Sequence, residues 1–504
     1  MVKQMDKKKS VLNITVSVGA KLLSMIMVIV VKRLLISYCG NEVNGLNALY
    51  LSIIGFMSVA ELGIGSAITF SMYKPIVEQD ERKVSALYGL FKRLYLIIGG
   101  IIFSCGLIIA PFIHIFAKDY AQVDVNLPYT FILMLISVVL TYVFGAKTAL
   151  FNAYKNNYIT TAITQGGLLF QYLLQIVVLM VVGTFEAYLI CRILACLVQW
   201  LVTEVLARKK YGKIITSKQR MDQSTTKEVT KNIKAMFIHN IGYVLVNTLD
   251  SVVIASFVGV VVLGEYSNYA TILASLSGVL KLVFSSLTSI IGHMCIKEDK
   301  NVARGYCEAF YYLNFVLGTV FFVGYYAIID NLIAILFAEN LIVQKSISFV
   351  ITINGFVQFM RTSTLTFRDA TGTFYHDRWK PLIEGIVNLV LSIILVSRLG
   401  VVGVIVATII TNLLICHVVE PFVLYKHAFM ESPQKYYFKN YSCILVFAIA
   451  LVVMSFCTFD FSSHWLELLI NGIISIAVSI GACLVVLPFH KEAVKRLLKK
   501  EKNS

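Results

Sequence analysis

Fourteen times along this chain an apolar run gives way to a short segment that carries charge. Each run is about twenty residues long, which at about 1.5 Å rise per residue is the length a helix needs to cross a bilayer's hydrocarbon. The runs cover approximately 11–31, 46–72, 88–110, 127–147, 159–182, 185–206, 236–258, 264–292, 306–329, 341–361, 380–398, 401–424, 440–458 and 465–487. Only 14% of the residues are charged and 58% are hydrophobic, against about 25% charged in soluble proteins. Such a chain cannot hide its apolar surface in a core of ordinary size. The expected fold class is an all-α polytopic membrane protein of about 14 transmembrane helices.

Charge tests the count. With the N-terminus cytoplasmic and every run crossing, 36 of the 44 Lys and Arg fall in cytoplasmic segments, 5 in external segments and 3 within helices. One miscounted span in the middle would swap every later loop and destroy that asymmetry. Both termini are therefore expected on the cytoplasmic side. The first run contains Lys21 and has no clear small-residue cleavage site, so it reads as a retained spanning helix rather than a cleaved leader. The net charge of +16 belongs to those cytoplasmic loops, and no nucleic-acid partner is expected. The basic tail His490–Ser504 suits the anionic inner leaflet. The ten cysteines form no CxxC pair, and HExxH and P-loop patterns are absent. No metal, no cofactor, no direct use of ATP and no covalent catalysis are expected.

The chain repeats itself. "GNEVNGLNALY" (Gly40–Tyr50) and "GVVVLGEYSNY" (Gly259–Tyr269) share G-x4-G-x4-Y at an offset of 219 residues. Tight hairpins at Gly183 and Gly400 recur at an offset of 217. The first and seventh helices run in the same direction, so the repeat is parallel, with its axis along the membrane normal. The expected organisation is an N-terminal six-helix lobe (1–206), a basic cytoplasmic linker (207–235), a pseudo-symmetric six-helix lobe (236–425), and two further helices with the basic tail (426–504).

A charge at mid-membrane costs about 2.5–3.5 kcal/mol on insertion scales and needs a partner or a wet cavity. Five charges are placed there: Lys21, Glu61, Arg192, Asp250 and Lys281. Lys281 falls one residue from the repeat equivalent of Glu61, so the lobes put opposite charges at similar depth. Two roles remain open. A lysine can simply neutralise Glu61 and tie helices together, or these groups can face a central hydrated cavity. Gln171 and Gln175 lie on one helix face, and together with Asn247 they are candidates for lining it. Gln165 and Asn388 are further amides at depth, and Glu384 reads as interfacial. Gly63 and Gly65 mark a place where the second helix can pack closely or bend, and Pro75 is expected to close that helix.

At this point the residues carry a resemblance. The block from Gly45 to Gly99, beginning "GLNALYLSIIGFMSVAELGIGSAITFSMYKP", and the stretch "FRDATGTFYHDRWKPLIEGIVNLVLSIILVSRLGVVGVIVATIITN" (Phe367–Asn412) resemble bacterial oligosaccharide flippases, the polysaccharide-biosynthesis branch of the MOP exporter superfamily. The resemblance implies a V-shaped two-lobe carrier that moves polyprenyl-pyrophosphate-linked oligosaccharide repeat units between leaflets by alternating access. It implies lipid-linked oligosaccharide and membrane lipids as partners, together with glycan-assembly proteins. It also implies a cationic cavity, for which Lys21, Arg33, Arg192 and Lys281 are the candidates here by position and charge. Glu61 and Asp250 are then candidates for ion coupling. The alternatives of the same fold are a MATE-type cation-coupled drug antiporter and a lipid II flippase.

Overall fold

The computed structural model describes residues 2–58, 64–217, 219, 248–373, 376–459, 461 and 463–498. Among them every regular element is helical and no strand occurs. Nine helical segments among the described residues are long and apolar enough to cross a membrane. One of these, Lys380–Phe429, is broken at Gly400 (φ 56°, ψ −135°) and doubles back there, so it holds two spans. At the remaining four sequence positions the described residues are helical too, which is consistent with the fourteen-span reading.

The first compact unit is Met1–Gly264. It holds α1 (Val2–Cys39), α2 (Asn41–Met57), α3 (Ile64–Val77), α4 (Glu81–Ile109), α5 (Leu127–Ala153), α6 (Asn157–Val181), α7 (Phe185–Thr216) and α8 (Thr248–Val258). Several ends differ from the hydropathy reading. Helix α1 continues to Cys39, so Lys32 and Arg33 sit on its last turns rather than in a loop. Pro75 lies inside α3 instead of ending it, two residues before its last residue. Helix α7 runs on to Thr216 through a break at Tyr211, ten residues into the segment expected as linker. Hydropathy windows stop at the first charges, whereas helical hydrogen bonding does not. Capping sets other starts: Asp80 accepts from the Lys83 amide at 2.9 Å and Asn126 from the Tyr129 amide at 3.1 Å, each satisfying a first-turn donor.

The repeated G-x4-G-x4-Y motif has a physical reading at each position. Gly40 (φ 92°) and Gly259 (φ 145°) each precede a helix in a conformation that side chains rarely adopt. The second glycines let backbones meet. A Cβ on Gly45 would fall on the carbonyl oxygen of Val260, and one on Gly264 would fall on that of Asn41. Asn41 and Asn44 secure this crossing by donating to the carbonyls of Val261 and Gly264, each at 3.0 Å. The tyrosines are pins, each 0% exposed. Tyr50 donates to the Leu127 carbonyl at 3.2 Å, at the start of α5. The hairpin glycines Gly183 and Gly400 likewise share positive φ, at 68° and 56°.

The second unit, Glu265–Ser504, holds most of α9 (Val260–Lys297), then α10 (Lys300–Leu336), α11 (Lys345–Thr371), α12 (Lys380–Thr411), α13 (His417–Leu424), α14 (Gln434–Phe456), α15 (His464–Val486) and α16 (Lys491–Leu498). Here Tyr269 donates to Asp330 at 2.7 Å and accepts from the Val343 amide at 3.3 Å. It thus ties α9 to the end of α10 and the approach to α11, as Tyr50 ties α2 to the start of α5. The core is aromatic. Phe356 stacks on Phe447 at 3.6 Å between ring centroids, with Phe322 and Phe359 edge-on or tilted around them. Gly355 leaves the space the Phe322 ring fills: a Cβ there would lie 2.5 Å from it.

Candidate functional site

The largest set of buried charge among the described residues grows out of the hairpin at Gly400. Before the turn, α12 carries Lys380, Glu384, Asn388 and Ser392, four residues apart on one buried face. After it, Thr408, Asn412, Cys416 and Glu420 repeat the same spacing, also buried. Four-residue steps stay on one side of a helix. A turn centred on Gly400 therefore brings the two stripes together. Asn388 donates to Thr408 Oγ1 at 2.9 Å, and Lys380 meets Glu420 at 2.5 Å, twenty residues from Gly400 on either side.

Arg361, on α11, completes the set. Its guanidinium forks onto Glu420, Nε to Oε2 at 3.1 Å and Nη2 to Oε1 at 2.5 Å. Its Nη1 donates to Asn412 Oδ1 at 2.6 Å and lies 3.5 Å from Glu384. Lys380 also reaches Glu384 at 3.0 Å. The backbone adapts to this demand. Asn412–Cys416 is a π-helical turn, a widening that tends to occur where function or a side chain requires it. The Asn412 amide donates back to the Thr408 carbonyl at 2.9 Å. His417 braces the site from behind. Its Nδ1 faces the Asn440 amide at 3.1 Å, so its Nε2 donates to the Val357 carbonyl at 3.0 Å. Nearby, Arg368 pairs with the buried Asp377 at 2.7 Å.

Two cations and two carboxylates make the quartet neutral, and every one of the four is engaged. Chemically it is a clasp that holds α11, α12 and α13 together. The first unit has a smaller counterpart. Lys147 on α5 meets Glu204 on α7 at 2.5 Å, and the exposed Arg208 closes on the other carboxylate oxygen at 2.5 Å. Glu204 and Glu420 are 216 residues apart, close to the repeat offset.

The residues expected from sequence fall as follows. Lys21 lies on α1 and Lys281 on α9, with side chains outside the described residues. Glu61, Gly63 and Asn247 lie outside the described residues altogether. Arg33 is exposed near the end of α1, Arg192 is half-buried on α7, and Asp250 is half-buried on α8. Gln171 and Gln175 do share a buried face. They bond to each other at 3.4 Å, and Gln175 donates to the Tyr188 carbonyl on α7 at 3.3 Å. Gln165 accepts from Ser24 on α1 at 3.0 Å. Glu384, expected at the interface, is buried within the protein, its side chain 5% exposed and ion-paired. Arg361, Lys380 and Glu420 were not singled out by sequence, although the polar stripe at four-residue spacing on α12 was there to be read. Among the described residues no three His, Cys, Asp or Glu side chains gather as metal ligands.

The sequence profile of a family described as "Polysaccharide biosynthesis protein" matches residues 7–289, more than half of the chain. The chain belongs to that family. It is a multi-pass helical membrane protein. The lipid II flippase MurJ in its inward closed conformation superposes with a TM-score of 0.67 at 13% identity, covering 95% of this chain and 100% of that one. An inward-facing multidrug-resistance MATE transporter of the MOP superfamily gives 0.57 at 13% identity, covering 77% and 91%. The Vibrio cholerae MATE transporter VcmN gives 0.56 at 13% identity, covering 83% and 98%. At such identities the likeness speaks for the fold alone. No curated protein sequence matches the chain.

Proposed function

We propose that the protein flips polyprenyl-pyrophosphate-linked oligosaccharide repeat units from the inner to the outer leaflet of a bacterial cytoplasmic membrane, by alternating access of two lobes with both termini inside. The observation that carries this reading is the family match over residues 7–289 on a chain with nine helices, among the described residues, long and apolar enough to cross a membrane. Surface polysaccharide is assembled on lipid carriers, and a multi-pass helical member of that family fits the translocation step better than a glycosyl-transfer step.

The physics suits the task. A pyrophosphate carries about two negative charges, which hydrocarbon cannot host unpaired. Cations at depth can, and Lys21, Arg33, Arg192 and Lys281 are proposed for that role. With the cell interior negative, outward passage of two charges is assisted by about 4.6 kcal/mol per 100 mV, so potential alone can drive a uniport. Glu61 and Asp250 are the residues proposed to titrate if an ion is exchanged instead.

Deleting the gene should trap lipid-linked repeat units on the inner leaflet and remove the surface polysaccharide. Normal polysaccharide in the deletion strain sinks the proposal. Lys21→Ala and Lys281→Ala should each abolish export at unchanged membrane abundance, measured by glycan staining beside an immunoblot. Wild-type export from both variants rules out a cargo-binding role for these lysines.

A further inference from the structure

The first unit contains a cleft of about 540 Å³ between α3, α4, α5 and the start of α6, within the roughly 300–1,000 Å³ range of small-molecule sites. Tyr73 and Tyr95 present rings to it, Thr141 and Thr148 hydroxyls, and Asn152 and Asn157 amides. Among the described residues no Lys, Arg, Asp, Glu or His lines it. We propose that this cleft receives a sugar ring of the transported cargo, an inference that rests on the reading in the preceding subsection.

The cleft is built around Tyr95. A Cβ at Gly145 would overlap its ring, and one at Gly65 would lie 3.1 Å from its hydroxyl. The two glycines make the room that the ring occupies. Phe91 fixes it edge-on at 4.4 Å between centroids, and Tyr142 backs it at 5.6 Å. Tyr73 is 45% exposed, so a ligand can reach its ring. Asn152 accepts from Thr160 Oγ1 at 2.8 Å through its carbonyl oxygen, which orients the amide and leaves its NH2 group to donate. Asn157 is exposed at the rim and offers both a donor and an acceptor.

This is the chemistry of a neutral polyol. A pyranose has an apolar C–H face that packs on an aromatic ring and an edge of hydroxyls that both donate and accept. Pyrophosphate or a coupling cation would require a charged partner, and the described lining residues supply none. A lipid tail would be expected where only apolar atoms line the wall, as in the groove of about 310 Å³ that Val446, Ile449 and Val478 help form between α14 and α15. Three threonines and two asparagines, by contrast, contribute to the lining of the first-unit cleft.

The test uses the full chain in its native host. With p-benzoylphenylalanine in place of Thr141, irradiation of living cells should give an adduct that periodate oxidation marks as carbohydrate. An adduct carrying only phospholipid overturns the proposal. In parallel, Tyr73→Phe should keep export, whereas Tyr73→Leu and Asn152→Leu should each lower it about tenfold, the loss of one stacking or hydrogen-bonding contact. Wild-type export from both leucine variants, in a strain where deletion abolishes export, overturns the sugar site and leaves the flippase reading standing. Undiminished export in the deletion strain removes both. The cross-link reads the site even if a leucine variant fails to accumulate.

Discussion

Glu420→Leu should destabilise the protein by about 3–5 kcal/mol, the cost of removing one member of a buried ion pair. Glu420 is 1% exposed and faces both Arg361 and Lys380. Its loss leaves two buried cations to share Glu384, which lies 3.5 Å from one and 3.0 Å from the other. The variant should extract poorly from membranes and melt at lower temperature in a detergent thermal-shift assay. Adding Lys380→Met should recover much of the loss. That double variant restores neutrality with Arg361 and Glu384, and replacing a buried ion pair by apolar groups of similar size is often neutral. A single variant that melts like wild type would show that the quartet is not a clasp. A double variant no better than the single one would show that charge balance is not what matters there.

Gly45→Val should be the most damaging glycine substitution in the first unit. The new Cβ would land on the Val260 carbonyl oxygen, with the Gly264 amide nitrogen at 3.0 Å. Both obstacles are backbone, so no side chain can turn aside, and the cost should exceed the roughly 1–3 kcal/mol of ordinary overpacking. Gly45→Ala should do most of the same harm, because the clash begins at Cβ. Gly89, on α4, is the control. Nothing lies within 4 Å of a Cβ built there, and Gly89→Ala should be neutral or stabilising by up to about 1 kcal/mol through helix propensity. The comparison is read from melting temperatures of the purified variants. Equal melting of Gly45→Ala and Gly89→Ala would refute the close crossing.

Much of this was legible in one dimension. Hydrophobic run length finds the spans, because each must satisfy its backbone internally over a fixed thickness. The glycines of the repeat are legible because the positive φ at positions 40, 183, 259 and 400 favours glycine. Helix ends were less legible. Windows of mean hydropathy stop α11 at Arg361, yet the helix continues to Thr371, because Arg361 finds its countercharge on α13, 59 residues away. The same blindness hid the countercharges of Glu384, Arg361 and Lys380. A charge that is costly alone becomes tolerable beside a partner that only folding brings near. The cleft of the first unit was out of reach for a similar reason. Its walls come from four helices, and the residues that make its room, Gly65 and Gly145, are eighty positions apart.

The quartet's neutrality has an electrical consequence. The membrane field does work on net charge, about 2.3 kcal/mol per elementary charge per 100 mV. Arg361, Lys380, Glu384 and Glu420 sum to zero. If they travel as a body during a transport cycle, that displacement draws nothing from the membrane voltage. The clasp can then be as strong as packing and hydrogen bonding make it, in a resting or an energised cell alike. Any voltage dependence of the cycle must be carried by charges outside this quartet or by the cargo itself.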